Sequence, residues 1–257
     1  MEYVSISGFN IMRRRSAPPI IANYLASISL RDCLVEDFLA RIELVYVRNV
    51  VIEDCIFRSI KDQNFDLGGG ALLIAALGES VIRRCQFIDN SSPHGFPSWE
   101  HFGGGGALFV SAAEPFLITE CLFLRNEAPT AGAVITVGPV EFSHNTLVGN
   151  TSGDAAYVHA EATSRITENV FAWNNSFGLR CWSGDLNNSC NSYWQNEGTE
   201  EGFCGPNYNI LLDPQFCDPD NDDFHLLETS PLLPENRPDG YEICDGIFGA
   251  FGMGCVG

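Results

Sequence analysis

The chain has 257 residues, 45% of them hydrophobic, and a net charge of −19. That apolar content can fill a core, and the charge excludes a nucleic-acid partner, which needs a basic footprint. No run reaches the ~18–20 apolar residues of a membrane helix, so no membrane span is expected.

Met1 to Met12 already reads in strand register, with Ile6 standing where Ile28 stands one coil later, and no charged-then-apolar leader precedes it. A stack that begins mid-repeat leaves a raw edge, so the sequence predicts a trimmed chain or part of a longer one. Arg13-Arg14-Arg15, followed by Ser-Ala-Pro-Pro, reads as a solvated loop.

From there a repeat dominates. Taking Cys121 as anchor, its equivalents are Cys33, Cys55, Cys85, Asn145, Asn169 and Asn191, with Ile11 an earlier member, at steps of 22, 22, 30, 36, 24, 24 and 22. Three residues before the anchor stand Ile52, Ile82, Ile118, Phe142 and Ile166. Two after it stand Val35, Phe57, Phe87, Phe123, Leu147, Phe171 and Tyr193, and five after it Asn90, Asn126, Asn150, Asn174 and Asn196. The stretch Ile118 to Asn126 thus reads as one short strand, a bend, and a turn at which Asn tolerates unusual backbone angles and bonds the next coil. A further column runs Gly70-Ala71, Gly106-Ala107, Gly132-Ala133 and Asp154-Ala155, so each coil holds at least two strands. No stretch combines helical periodicity with a cap.

One such unit cannot bury its apolar side alone; stacked coils pair in parallel ~4.8 Å apart and share a core. The fold class read from this is all-β, a parallel β-helix solenoid over residues 1–196, with a disulfide-rich capping segment over 197–257. Cys33, Cys55, Cys85 and Cys121 should form one interior ladder of free thiols. Cys181, Cys190, Cys204, Cys217, Cys244 and Cys255 are even in number and loop-rich in setting, so disulfides are expected, with 15 pairings open. Zinc is disfavoured, since Cys-x-x-Cys is absent. Four Asn-x-Ser/Thr triplets occur, at Asn90, Asn150, Asn174 and Asn187, three of them on the turn column.

These motifs, Ile-x-x-Cys-x-Phe-x-x-Asn followed by Gly-Gly-Ala, resemble the right-handed parallel β-helix of secreted and surface bacterial proteins, including polymorphic outer-membrane proteins, within the pectate-lyase-like superfamily. The closing segment, with Asp213-Pro214-Gln215-Phe216, Asp223-Phe224-His225-Leu226, Ser230-Pro231 and Gly246 to Gly252, is similar to the one that ends such solenoids. The resemblance implies an extracellular or cell-surface location. One fold hosts many functions, so it leaves activity open.

Two candidate sites follow. Asp32, Asp54, Arg84, Glu120, His144 and Glu168 precede the anchor in an outward column, and Arg31, Glu53 and Arg83 precede those. Signs alternate along the stack, which suits cross-strand ion pairing. The same positions offer candidate catalytic residues, Glu120, His144 and Glu168, the two carboxylates standing ~9.6 Å apart by strand spacing, at the upper edge of the range of an inverting glycosidase pair. The other candidate is a binding face. Insertions Lys61 to Gly69 and Ser91 to Gly105 leave the same position of adjacent coils and should share one rim. There Phe96 and Trp99 could stack on a sugar ring while Asp66, His94, Glu100 and His101 bond hydroxyls, the coil beneath being filled by Phe87 and Phe109. No resident metal is expected; Asp220-Asn221-Asp222-Asp223 leaves Ca2+ open, although it lacks the glycine and later glutamate of an EF-hand. The sequence therefore points to a non-catalytic binder of glycans or surface proteins, with a polysaccharide lyase or glycoside hydrolase as the alternative.

Overall fold

The computed structural model describes residues 3–12, 20–63, 69–93, 104–159, 163–182, 186–198, 204, 208–241 and 243–255, the side chains of residues 11 and 12 aside. Three parallel sheets run its length, of eight, eight and seven strands, with each coil adding one strand to each sheet. In one coil these strands are Phe116–Thr119 in the first sheet, Leu122–Leu124 in the second and Ala131–Val137 in the third. The stretch around Cys121 is therefore two strands, not one. The residue before the anchor breaks them apart by turning left-handed: Asp32, Asp54, Arg84, Glu120, His144 and Glu168 have φ between 51° and 60°. A second left-handed column, Asp37, Ser59, Asp89, Arg125, Gly149, Trp173 and Gln195, precedes the turn Asn. The strained backbone thus sits one residue ahead of each Asn, and the Asn itself supplies bonds.

The interior columns stand in register. Cys33, Cys55, Cys85 and Cys121 occupy successive rungs, each carbonyl accepting from the next coil (Ile56, Gln86, Leu122 and Thr146 N–H) at 2.8–2.9 Å. All four are buried and free, and each Sγ donates to the carbonyl two residues back at 3.1–3.3 Å. Beside them Phe57, Phe87 and Phe123 stack with centroids 5.0 and 4.9 Å apart. Ile11 pairs with Val35, so it belongs to the column two after the anchor. Phe9, whose carbonyl accepts from Leu34 N–H, holds the anchor place. Likewise Ile6 pairs with Leu30, while Ile28 pairs with Val4.

At Cys121 the ladder changes chemistry. Its N–H donates to Asn145 Oδ1 at 3.0 Å, and the rungs onward are Asn145, Asn169 and Asn191, joined side-chain amide to side-chain amide, with the Asn191 backbone N–H donating to Asn209 Oδ1. The turn column forms a second ladder from Asn90 to Asn196. Asn90, Asn150 and Asn174 are buried here, whereas Asn187 is exposed.

The C-terminal segment first closes the stack and then folds back. Ile210 bridges Ser192 at the end of the second sheet. The rest lies along the outer face of that sheet, where Leu122, Leu124, Val148, Val170 and Ala172 form a second core with Phe216, Phe224, Leu226, Leu232, Leu233 and Phe248. Three disulfides fasten it, Cys181–Cys204, Cys190–Cys244 and Cys217–Cys255. Phe109, expected inside the coil, stands on the outer face of the third sheet with Ala131 and Ile135.

Candidate functional site

The outward column before the anchor is a chain of ion pairs. Glu53 lies buried between Arg31 and Arg83. One residue on, Arg84 holds Asp54 through two bonds of 2.7 and 2.8 Å and reaches Glu120 at 3.9 Å. His144 Nε2 lies 3.0 Å from Glu168 Oε2, and Glu168 Oε1 accepts from Gly246 N–H at 2.9 Å. The hydrogen bond to Glu168 raises the His144 pKa, and the same bond lowers that of Glu168. Gly249 N–H donates to the Glu168 carbonyl at 2.8 Å, and the next rung is Cys190, disulfide-bonded to Cys244. Glu168 thus joins the solenoid to the returning segment. A groove of about 510 Å³ opens beside it, lined by Arg165, Thr167, Ser189, Tyr208, Ile243 and Asp245 among others.

The two insertions leave and rejoin the stack at paired residues: Lys61 bridges Ser91, and Gly69 bridges Gly105. Their interiors, with Asp66, His94, Phe96, Trp99, Glu100 and His101, lie outside the described residues, as do Arg13, Arg14 and Arg15. At their base Asp62 is fully buried and bonds Arg41 at 2.5 Å, while Arg41 also reaches Glu43 at 3.2 Å.

The same corner continues beyond the insertions. Ser91, Glu127 and Thr151 bridge in sequence; Asn175 and Glu197 follow, bonding the Asn150 and Asn174 carbonyls. Beside this row lies a groove of about 330 Å³, lined by Pro129, Thr130, Ser152, Asp154, Tyr157 and Arg180 among others. Buried Asp154 accepts from Ser176 Oγ at 2.8 Å and Arg180 Nε at 2.5 Å, and the Arg180 guanidinium stands 4.8 Å above the Phe177 ring. Burial raises the Tyr157 pKa. Alternation along the third sheet carries the site outward: Tyr157 and His159 share the outer face of one strand, Arg180 and Trp182 that of the next coil. The His159 and Trp182 rings lie 6.4 Å apart, and Trp182 is 63% exposed.

Sequence reasoning passed over Trp182 because Cys181 was grouped with the loop cysteines. Read as an inward third-sheet residue, Cys181 puts its two neighbours outside. The Ca2+ candidate segment is engaged internally: Asp222 pairs with Arg125 at 2.5 Å, Asp223 with His225 at 2.6 Å, and Asp218 with Asn221 at 2.7 Å. Among the described residues no group of three or more His, Cys, Asp or Glu is placed to hold a metal, and no helix is long and apolar enough to cross a membrane.

A solenoid of three parallel sheets defines the class, and comparison with known families agrees. The family described as "Right handed beta helix region" matches residues 3–192, and the chain belongs to it. No curated protein and no solved structure matches.

Proposed function

We propose that the protein is a non-catalytic, extracellular or surface-exposed β-helix that binds glycan chains on the outer face of its third sheet. The observation that carries this is Trp182, a large aromatic left exposed beside His159 on the same outer sheet face as Tyr157 and Arg180, which line the groove with Thr130, Ser152 and Ser176. An apolar ring face among converging polar groups suits a sugar, which offers both C–H faces and hydroxyls. The insertions leave and rejoin the stack at the edge of the same sheet, and the proposal keeps Asp66, His94, Phe96, Trp99, Glu100 and His101 as expected sugar-binding residues. Three disulfides are compatible with an oxidising, extracellular setting.

The enzymatic alternative would use Glu120, His144 and Glu168. A glycosidase acid needs a carboxyl held above its ordinary pKa; Glu168 is shifted the other way, with both oxygens bonded. That geometry favours a fastening role over acid–base chemistry. The test is a panel of acidic, neutral and basic polysaccharides assayed for binding and for product release. Trp182→Ala should weaken binding at least tenfold while changing stability by less than ~1 kcal/mol, as for an exposed side chain. Unchanged affinity in that variant, or turnover of any substrate, would overturn the proposal.

A further inference from the structure

We infer that Asn187 is an acceptor site for an N-linked glycan, and that of the chain's sequons it alone can be used once the protein has folded. The inference goes beyond the sugar-binding reading and does not depend on it.

The chemistry of attachment decides among the sites. Transfer joins an asparagine Nδ2 to the anomeric carbon of an oligosaccharide carried on a polyprenyl diphosphate. The bond from that carbon to the diphosphate oxygen breaks, the lipid diphosphate leaves, and Nδ2 gives up one proton. The acceptor therefore needs an Nδ2 that is reachable, a proton not held by another bond, and room for a bulky, hydrated group. Asn90, Asn150 and Asn174 fail on every count. Each is fully buried, and each commits both Nδ2 protons. Asn90 donates to the Phe57 carbonyl at 2.9 Å and to Asn126 Oδ1 at 3.0 Å. Asn150 donates to the Phe123 carbonyl and to Asn174 Oδ1, each at 3.0 Å. Asn174 donates to the Leu147 carbonyl at 3.0 Å and to Asn196 Oδ1 at 2.8 Å.

Asn187 meets each requirement. It opens Asn187–Ser189, the last strand of the first sheet, whose far edge pairs with no described strand. Pairing with exposed Arg165 places it on the outer face, while Asn188 turns inward and is fully buried. The Asn187 side chain is exposed and is engaged through its oxygen, Oδ1 accepting from Ser189 Oγ at 2.9 Å. Its Nδ2 donates to no described residue. The amide that would be modified and the hydroxyl that completes the Asn-x-Ser triplet thus stand together on one accessible face. Exposed Tyr208 and Ile243 line the same groove as Asn187, apolar surface that an attached sugar chain would shield from other proteins.

The ladder also sets the order of events. A sugar placed on Asn90, Asn150 or Asn174 before folding would remove a proton that the stack uses, and the sugar itself could not be buried. Transfer compatible with this fold follows the stacking of the coils, in the oxidising setting that three disulfides suit.

The experiment offers the purified folded protein, and the same chain reduced and alkylated so that it stays unfolded, to an oligosaccharyltransferase with a polyprenyl-diphosphate-linked oligosaccharide. A short acceptor peptide in the same reaction shows that the enzyme is active. Intact mass and glycopeptide mapping read the result. Folded wild type should gain a single oligosaccharide, at Asn187. Asn187→Gln and Ser189→Ala should gain none, and Ser189→Thr should keep it. The unfolded chain should be modified at the ladder sequons as well. Transfer to Asn90, Asn150 or Asn174 in the folded protein would overturn the inference, and so would a folded Asn187 left bare while the peptide is modified. Ladder sequons that stay bare in the unfolded chain would show that sequence, not burial, makes the choice, and would overturn it too.

Discussion

A single turn asparagine carries a large share of the bonding between coils. Asn126 donates to the Phe87 carbonyl at 2.9 Å and to Asn150 Oδ1 at 3.0 Å, and its own oxygen accepts from the Asn90 backbone and side chain at 3.1 and 3.0 Å. It is fully buried, so truncation leaves donors and acceptors that water cannot reach. Each such orphan costs roughly 1–3 kcal/mol. Asn126→Ala should therefore lower the unfolding free energy by about 3 kcal/mol or more in denaturant titration. A change under 1 kcal/mol would mean the ladder relaxes around the gap. His144 and Glu168 act at the same scale but depend on pH. The raised His144 pKa stabilises fully below the ordinary imidazole value of 6.5 and is lost as pH climbs through the folded value. The lowered Glu168 pKa stabilises above the ordinary 4.5 and is lost as pH falls through its folded value. The pair thus contributes most between about pH 4.5 and 6.5. The stability gap between wild type and His144→Gln should be widest there and narrow as pH rises through the folded His144 value, with its size modest because His144 is 35% exposed.

At the scale of elements, the second sheet shows why a coil can be read and its neighbours missed. Its strands change from Ile-Phe-Arg and Gln-Phe-Ile to Leu-Phe-Leu, Thr-Leu-Val and Val-Phe-Ala. Alternation disappears where the returning segment covers the outer face, the signature of a strand buried on both sides. That signal was present and unused. The left-handed corner before each anchor had no signal to use: it is filled by Asp, Arg, Glu and His, none of which announces positive φ as glycine would. The anchor spacing, the Phe column and the Asn ladder were legible because each repeats in one frame. The proposed binding face was half legible, since the insertions interrupt the repeat visibly while Trp182 sits where the repeat weakens. The cysteines divide along the same line, four free in the interior ladder and six paired where the closing segment is fastened to the last coils. Alkylation without reduction should label none in the folded protein and four on unfolding, at Cys33, Cys55, Cys85 and Cys121, read by mass mapping. Labelling of all ten would remove the support for an oxidising compartment.

For the whole molecule, every rung is held by backbone bonds to the rungs before and after it, and both large insertions begin and end at residues that bridge one another. The corner closes on itself whether the chain between Lys61 and Gly69, or between Ser91 and Gly105, is long or short. Coil 121 crosses the same gap from Glu127 to Ala131 with no insertion at all. Replacing residues 93–104 by a crossing of that length should therefore leave the melting temperature within a few degrees of wild type, as surface loops of different length differ little in closure entropy. A collapse of the fold would show that the insertion covers apolar surface such as Phe109 and Ile135. The solenoid is in this sense a rack with open slots, in which what is displayed can vary in length and composition while the frame that displays it stays the same.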